Sequence, residues 1–234
     1  MSARRSDRDA TRRSAAVVVL AAGSSSRFGA TKLLAPLDGR PLVAHAVRTA
    51  LDAGVADVVV VTGHDGDRVA AAARAEGDIR VVHNPEHRTG QASSLVAGIR
   101  SLDEHARAAV VLLGDQPGVR ADAVAAVIAA VDDGAEAARA RYDEGPSHPV
   151  AFARRLWPEL EQLTGDEGAR GLLATREIAE VAVWGRIPAD VDEPGDLEVV
   201  AGCRDAAAGA TATGRGPGGP APTLPPVVAE RRRG

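Results

Sequence analysis

Cysteine is nearly missing from this 234-residue chain: Cys203 is the only one. An internal disulfide is therefore excluded, and so is any metal site built on several thiolates. A lone thiol fits a reducing compartment. Aromatic side chains are almost as scarce, at 2%. That removes the stacking platform on which single-stranded nucleic acid is held, and it leaves the core to Ala, Val and Leu. An excess of positive charge is missing too. The formal net charge is −4, whereas a general nucleic-acid binder carries a basic face. No apolar run approaches the roughly 20 residues of a membrane-spanning helix. These absences predict a cytoplasmic chain with neither nucleic acid nor membrane as a partner.

What is present is ordinary for a globular chain: 45% apolar and 26% charged residues, enough for one large domain. That domain is expected over residues 15–203. Residues 1–14, rich in Arg, Asp and Ser, read as a disordered basic tail, and the Ala, Gly and Pro-rich residues 204–234 as a second. Such stretches bury too little apolar area to offset backbone ordering entropy. Arg12-Arg13 before the apolar run Ala15 to Ala22 admits a signal-peptide reading. The competing reading makes Ala16 to Leu20 the first strand.

Between the tails, elements alternate. Ala16–Leu20, Asp57–Thr62, Ile79–His83 and Ala108–Leu113 read as buried strands. Helices are predicted from Pro41 to Ala53, Asp67 to Glu76, Gln91 to Leu102 and Ala121 to Val131. Four β-then-α units imply a parallel sheet with helices on both faces. After Gly134 the pattern becomes irregular. Short strands Ala135–Arg141 and Val150–Ala153 are expected around a Gly-Pro-Ser turn, then helices at Leu156–Leu163 and Gly168–Arg176 and a strand at Ile178–Trp184. The fold class is α/β, a single-domain three-layer α/β/α with a mostly parallel sheet. In such sheets ligands bind outside the carboxyl ends of the strands.

The first strand runs into Ala21-Ala22-Gly23-Ser24-Ser25-Ser26-Arg27-Phe28-Gly29-Ala30-Thr31-Lys32. Glycines let backbone N–H groups close around an anion, and Arg27 and Lys32 add two charges for phosphate oxygens. Composition alone also admits a plain glycine-rich connection with surface cations. A Walker A loop is excluded, because Ala30 rather than Lys follows Gly29. The dinucleotide Gly-x-Gly-x-x-Gly spacing does not occur either. The stretch Leu20-Ala21-Ala22-Gly23-x-Ser25-x-Arg27-x-Gly29-x-x-Lys32 resembles the signature loop of the molybdenum cofactor nucleotidyltransferases and related NTP transferases. The resemblance extends over roughly residues 16–200 and implies a nucleotide-diphospho-sugar transferase (GT-A-like) fold. It also favours strand over signal peptide, since cleavage near Ala22 would destroy both strand and loop.

Two acidic segments bear on the chemistry. Asp115 follows the fourth strand in Leu112-Leu113-Gly114-Asp115-Gln116-Pro117. A carboxylate beside a triphosphate needs an intervening cation, and Mg²⁺ binds one or two carboxylates plus substrate phosphates. A turn or cap is the competing reading for Asp115. The second segment is Asp190-Val191-Asp192-Glu193-Pro194-Gly195-Asp196-Leu197. A short apolar strand is expected before Asp192, and Asp196 is expected to cap a final helix. The resemblance implies that Asp115 and Asp192 hold the Mg²⁺, while Asp190 is either a further ligand or a solvated loop residue.

Catalytic roles are thereby implied for Arg27, Lys32 and Asp115. Nucleotide contacts are implied for Leu20, Ala21, Ala22, Gly23, Ser24, Gly63, Asn84 and Ser94. Ser147-His148-Pro149-Val150-Ala151-Phe152 and Gly165-Asp166-Glu167-Gly168-Ala169-Arg170 resemble segments of the cytidylyltransferase branch, with Ser147 standing where glycine is usual. They make His148 and Arg170 candidate acceptor contacts. Ala22, where the guanylyl branch tends to have glycine, leans the same way, and Gln116 and the late acidic segment agree with the family resemblance. His45, His64, His83, His87 and His105 show no metal-ligand spacing.

The expected function is Mg²⁺-dependent transfer of CMP from CTP to the phosphate of a molybdopterin-type molybdenum cofactor, releasing pyrophosphate, with a molybdoenzyme as a possible client. Another NTP, such as GTP, with a sugar- or alcohol-phosphate acceptor is the nearest alternative. A non-catalytic maturation factor that binds the cofactor and a Rossmann oxidoreductase are the others.

Overall fold

The computed structural model describes residues 14–25 and 28–202. Both expected tails (apart from Ser14), Cys203 and the loop cation Arg27 lie outside the described residues.

The elements in chain order are β1 (Ala15–Ala21), β2 (Pro36–Leu37), β3 (Arg40–Pro41), α1 (Leu42–Asp52), β4 (Asp57–Thr62), α2 (Gly66–Arg74), β5 (Arg80–His83) and α3 (Gln91–Arg100). They continue through β6 (Ala108–Leu113), α4 (Ala121–Asp132), β7 (Ala137–Tyr142), β8 (Gly145–Ala153), α5 (Trp157–Leu160), α6 (Arg170–Ala174) and β9 (Ala179–Ala182). Seven strands form one sheet in the order β5-β4-β1-β6-β8-β7-β9. Only β8 runs against the others, antiparallel to β6 and β7.

The central strands alternate between two cores. Val17, Val19, Val58, Val60, Val110 and Leu112 face one layer, where Val43 and Val47 of α1, Val69 of α2 and Val124, Val127 and Ile128 of α4 pack. Their neighbours face the other layer. There Ala16, Ala109 and Val111 meet Leu95 and Ile99 of α3 and Trp157 and Leu160 of α5. Both strand faces are thus covered, which is why β1, β4 and β6 read as unbroken apolar runs rather than as alternating ones. The three-layer α/β/α class follows directly.

The irregular half departs from expectation. Gly145-Pro146-Ser147 is no turn. It pairs within β8, opposite Tyr142, Arg141 and Ala140, beside a register shift at Arg139/Ala140. A bulge is where proline is tolerated in a sheet, and Asp143-Glu144 makes the turn instead. No strand precedes Asp192: residues 187–192 run without a ladder, joined to the sheet by one bond from Val191 N to Asp115 O (3.1 Å). Pro188, which has no N–H to give, lies in that run. Helix α6 is shorter than expected, because Gly168 takes a left-handed φ of +55°. The small hairpin β2–β3, turning at Asp38-Gly39, was not foreseen.

Helix α3 lies unusually close to the sheet. A Cβ at Gly98 would stand 2.4 Å from Val18 Cγ1 and 3.1 Å from Val61 Cγ2. Helix propensity alone favours Gly98→Ala by about 1 kcal/mol, but overpacking costs about 1–3 kcal/mol. Gly98→Ala should therefore lower the urea midpoint of unfolding. A raised midpoint would contradict this packing.

Candidate active site

The parallel strands deliver their carboxyl ends to one edge of the sheet, where backbone bonds tie the following loops together. Gly114 N donates to Leu20 O (2.9 Å), His64 N to Ala22 O (3.3 Å) and Asn84 N to Thr62 O (2.7 Å). The approach is tight at Gly63, where an added Cβ would lie 2.8 Å from Ala22 O and 2.5 Å from His87 Cβ.

The loop after β1 starts from this edge. Ala22 is buried while Gly23 and Ser24 are exposed. Ser25 adopts φ +52°, accepts a bond from Phe28 N at its carbonyl (3.0 Å) and one from Lys32 N at its hydroxyl (3.2 Å). Thr31 Oγ1 then donates to Asp65 Oδ2 (2.7 Å), a residue in the turn after β4. The loop thus returns to the strand ends just where Lys32 begins a short 3₁₀ turn, anchored by the buried Leu33.

Lys32 is the centre of the site. Its side chain is only 12% exposed, and Nζ donates to Asp115 Oδ2 at 2.7 Å and to Asp192 Oδ1 at 3.0 Å. Burial works against the ammonium, but Asp115 and then Asp192 outweigh it and hold Lys32 above its ordinary value. The lysine is therefore charged at neutral pH. Asp192 is placed by a small apolar cluster of Leu37, Leu42, Val191 and Val200, with Phe28 of the glycine-rich loop packed against it. Fully burying a side chain such as Val191 contributes about 1.5–3 kcal/mol, enough to hold an otherwise irregular segment against the sheet edge. Asp196 does not cap forward. Its Oδ2 accepts from Asp192 N and Glu193 N, each at 2.8 Å, the backward reach of a capping box.

Asp190 joins this group. Its burial, and next the Asp115 carboxylate, raise it above its ordinary value, while a bond from the Gln116 side chain opposes them. Gln116 is itself buried.

The central part of the chain, residues 17–181, matches the family model described as MobA-like NTP transferase domain. The chain belongs to that family. By family it is a nucleotidyltransferase. The chain is 30% identical over 197 residues to purine catabolism protein PucB of Bacillus subtilis, covering 78% of this chain and 94% of PucB. It is 35% identical over 171 residues to the bifunctional protein GlmU of Halorhodospira halophila, covering 68% of this chain but only 35% of GlmU. Among solved structures, the Rv0371c homologue from Mycobacterium sp. strain JC1 superposes with a TM-score of 0.74 at 32% identity, over 84% of this chain and 99% of that one. Rv0371c of Mycobacterium tuberculosis H37Rv in complex with manganese superposes at 0.68 and 30% identity, over 81% and 98%.

The remaining candidates of this NTP transferase domain fall in two groups. Asn84 and Ser94 meet each other below the surface: Asn84 Nδ2 donates to Ser94 Oγ (3.0 Å) and Ser93 Oγ (2.9 Å), joining the end of β5 to the start of α3. In the second group, His148 feels both Asp115 and Arg170. Burial pushes its imidazolium down to about 4, with Asp115 opposing and Arg170 adding to the effect. His148 is thus within electrostatic reach of both Asp115 and Arg170. Asp65 and Gln116 were not picked out as site residues from sequence. The signal for both was position: each lies directly beyond a strand end or beside Asp115.

A histidine that the fold keeps neutral stabilises the protein above the ordinary histidine value of 6.5 and ceases to do so as pH falls toward about 4. Urea unfolding between pH 7 and pH 4 should therefore show a steeper acid loss in wild type than in His148→Gln. Equal slopes would show that His148 is not held neutral.

Proposed function

We propose that this nucleotidyltransferase transfers CMP from CTP to the terminal phosphate of a molybdopterin-type cofactor. The observation that carries the reading is the convergence of Lys32, Asp115 and Asp192 at the mouth of the glycine-rich loop. Exposed Gly23 and Ser24 offer backbone N–H groups for the triphosphate. The Ala22 position favours the cytidylyl over the guanylyl branch. His148, which feels both Asp115 and Arg170, and Arg170 remain the candidates for contacting the acceptor phosphate.

A divalent metal fits these residues. Asp115 and Asp192 already gather one cation between them, the Lys32 ammonium. Among the described residues no group of three or more His, Cys, Asp or Glu side chains is arranged to hold a metal. Two carboxylates are what Mg²⁺ takes when substrate phosphates complete its shell. The manganese complex of Rv0371c supports a divalent ion in a relative. Bound there, Mg²⁺ would neutralise charge on the α- and β-phosphates.

The acceptor oxygen attacks the α-phosphorus, the bond to the β-bridging oxygen breaks, and pyrophosphate leaves. The acceptor is already an anion, so neither a protein nucleophile nor a strong general base is required. The side chains position charge and stabilise it as it moves to the leaving group. Lys32 supplies the cation for that shift.

Pyrophosphate release measured with CTP, GTP and ATP against molybdopterin should show a preference for CTP. Asp115→Asn should lower the rate by about 10²–10³ with an unchanged circular dichroism spectrum. Turnover with GTP or on a sugar phosphate alone would move the protein to another substrate, and no turnover with any NTP would overturn the reading.

A further inference from the structure

Lys32 is the sole lysine among the 28 lysines and arginines of the chain. Apart from His105–Glu104, the other ion pairs among the described residues are made by arginine, as in Arg40–Glu76, Arg139–Glu180 and Arg176–Glu136. The one position that bridges the two candidate metal ligands thus carries the other cation. The difference is physical. A guanidinium is a planar fork that grips a carboxylate with two parallel bonds, whereas an ammonium is a compact point charge on a flexible stem. Of the two, only the ammonium resembles a metal ion in size and in the way it sits between oxygens.

We propose that Lys32 is a resident counter-cation of the metal site: it occupies the place of the divalent ion between Asp115 and Asp192, and it must leave both carboxylates when the metal binds. This rests on the metal reading above and goes beyond it, because it assigns Lys32 two alternative partners. With nothing else bound, the carboxylates neutralise the ammonium at 2.7 and 3.0 Å. A metal entering alone evicts a mostly buried charge from both of its hydrogen-bonded carboxylates and leaves it only the through-space attraction of Asp190 and Asp196. A nucleotide triphosphate entering with the metal offers that charge new oxygens at the same moment. Metal and nucleotide therefore bind with positive coupling, and each raises the affinity for the other by the same factor. The device also keeps two adjacent carboxylates from repelling each other in the unliganded protein.

The test is Mn²⁺ binding to the full chain without nucleotide, followed by electron paramagnetic resonance of the free ion. Lys32→Met should bind Mn²⁺ more tightly than wild type, by about tenfold within the 5–150-fold range usual for coupled sites. Adding Asp115→Asn to that variant should remove the gain. If Mn²⁺ binding depends on Asp115 but Lys32→Met binds no tighter than wild type, the counter-cation proposal fails while the metal reading stands. If binding is indifferent to Asp115, both fail. A second measurement needs no substitution. Wild-type protein grown on lysine labelled with ¹³C at Cε gives a single lysine side-chain resonance. That resonance should shift on adding Mg²⁺, with the midpoint of the Asp115-dependent binding. A resonance unmoved when that site is saturated would overturn the proposal even if the Lys32→Met protein does not fold.

Discussion

One ammonium held between two carboxylates organises the functional edge of this molecule. The charges come from three distant places in the sequence, with Lys32 and Asp192 160 residues apart. Each is brought in by a different device. A hydroxyl latch to Asp65 returns the glycine-rich loop to the strand ends. The end of a strand buried along all but its last residue presents Asp115. A four-residue apolar cluster pins the segment that carries Asp192. Removing Lys32 would leave two adjacent, partly buried carboxylates without their counter-charge, a costly state.

The wider fold serves this edge. Parallel strands place several loops side by side, and the two apolar layers make the strand ends rigid. The family match over residues 17–181 covers β1 to most of β9. It leaves Asp192 beyond its end. The late acidic segment has to be read from the geometry, where its bond to Lys32 makes it part of the same site. No helix among the described residues is long and apolar enough to cross a membrane.

Much of this was legible in the sequence because the signals were local. The strands β1, β4 and β6 are continuous apolar runs. Lys32 and Asp115 stand at fixed distances from strand ends, so a parallel sheet puts them together. The second half was harder. Gly145-Pro146-Ser147 carries every sign of a turn, yet tertiary pairing next to a bulge keeps it in a strand. Asp192 was found through a resemblance, but the strand expected before it is absent, because Val191 is held by burial and a single backbone bond rather than by a ladder. Asp65 and Gln116 could not be ranked above other polar residues until their partners, Thr31 and Asp190, were in place. Ser94 and Asn84 illustrate the converse: their sequence context pointed to a ligand, and their hydroxyl and amide are bonded to each other.

The account stands or falls on whether Asp115, Asp192 and Lys32 share one bound nucleotide. A crystal structure grown with Mn²⁺ and CTP, with the metal located by its anomalous scattering, tests this directly. The predicted result is a single manganese peak bridged by Asp115 and Asp192, with Lys32 Nζ turned onto phosphate oxygens. A peak away from both carboxylates, or a nucleotide bound with Lys32 still bridging them, would contradict it.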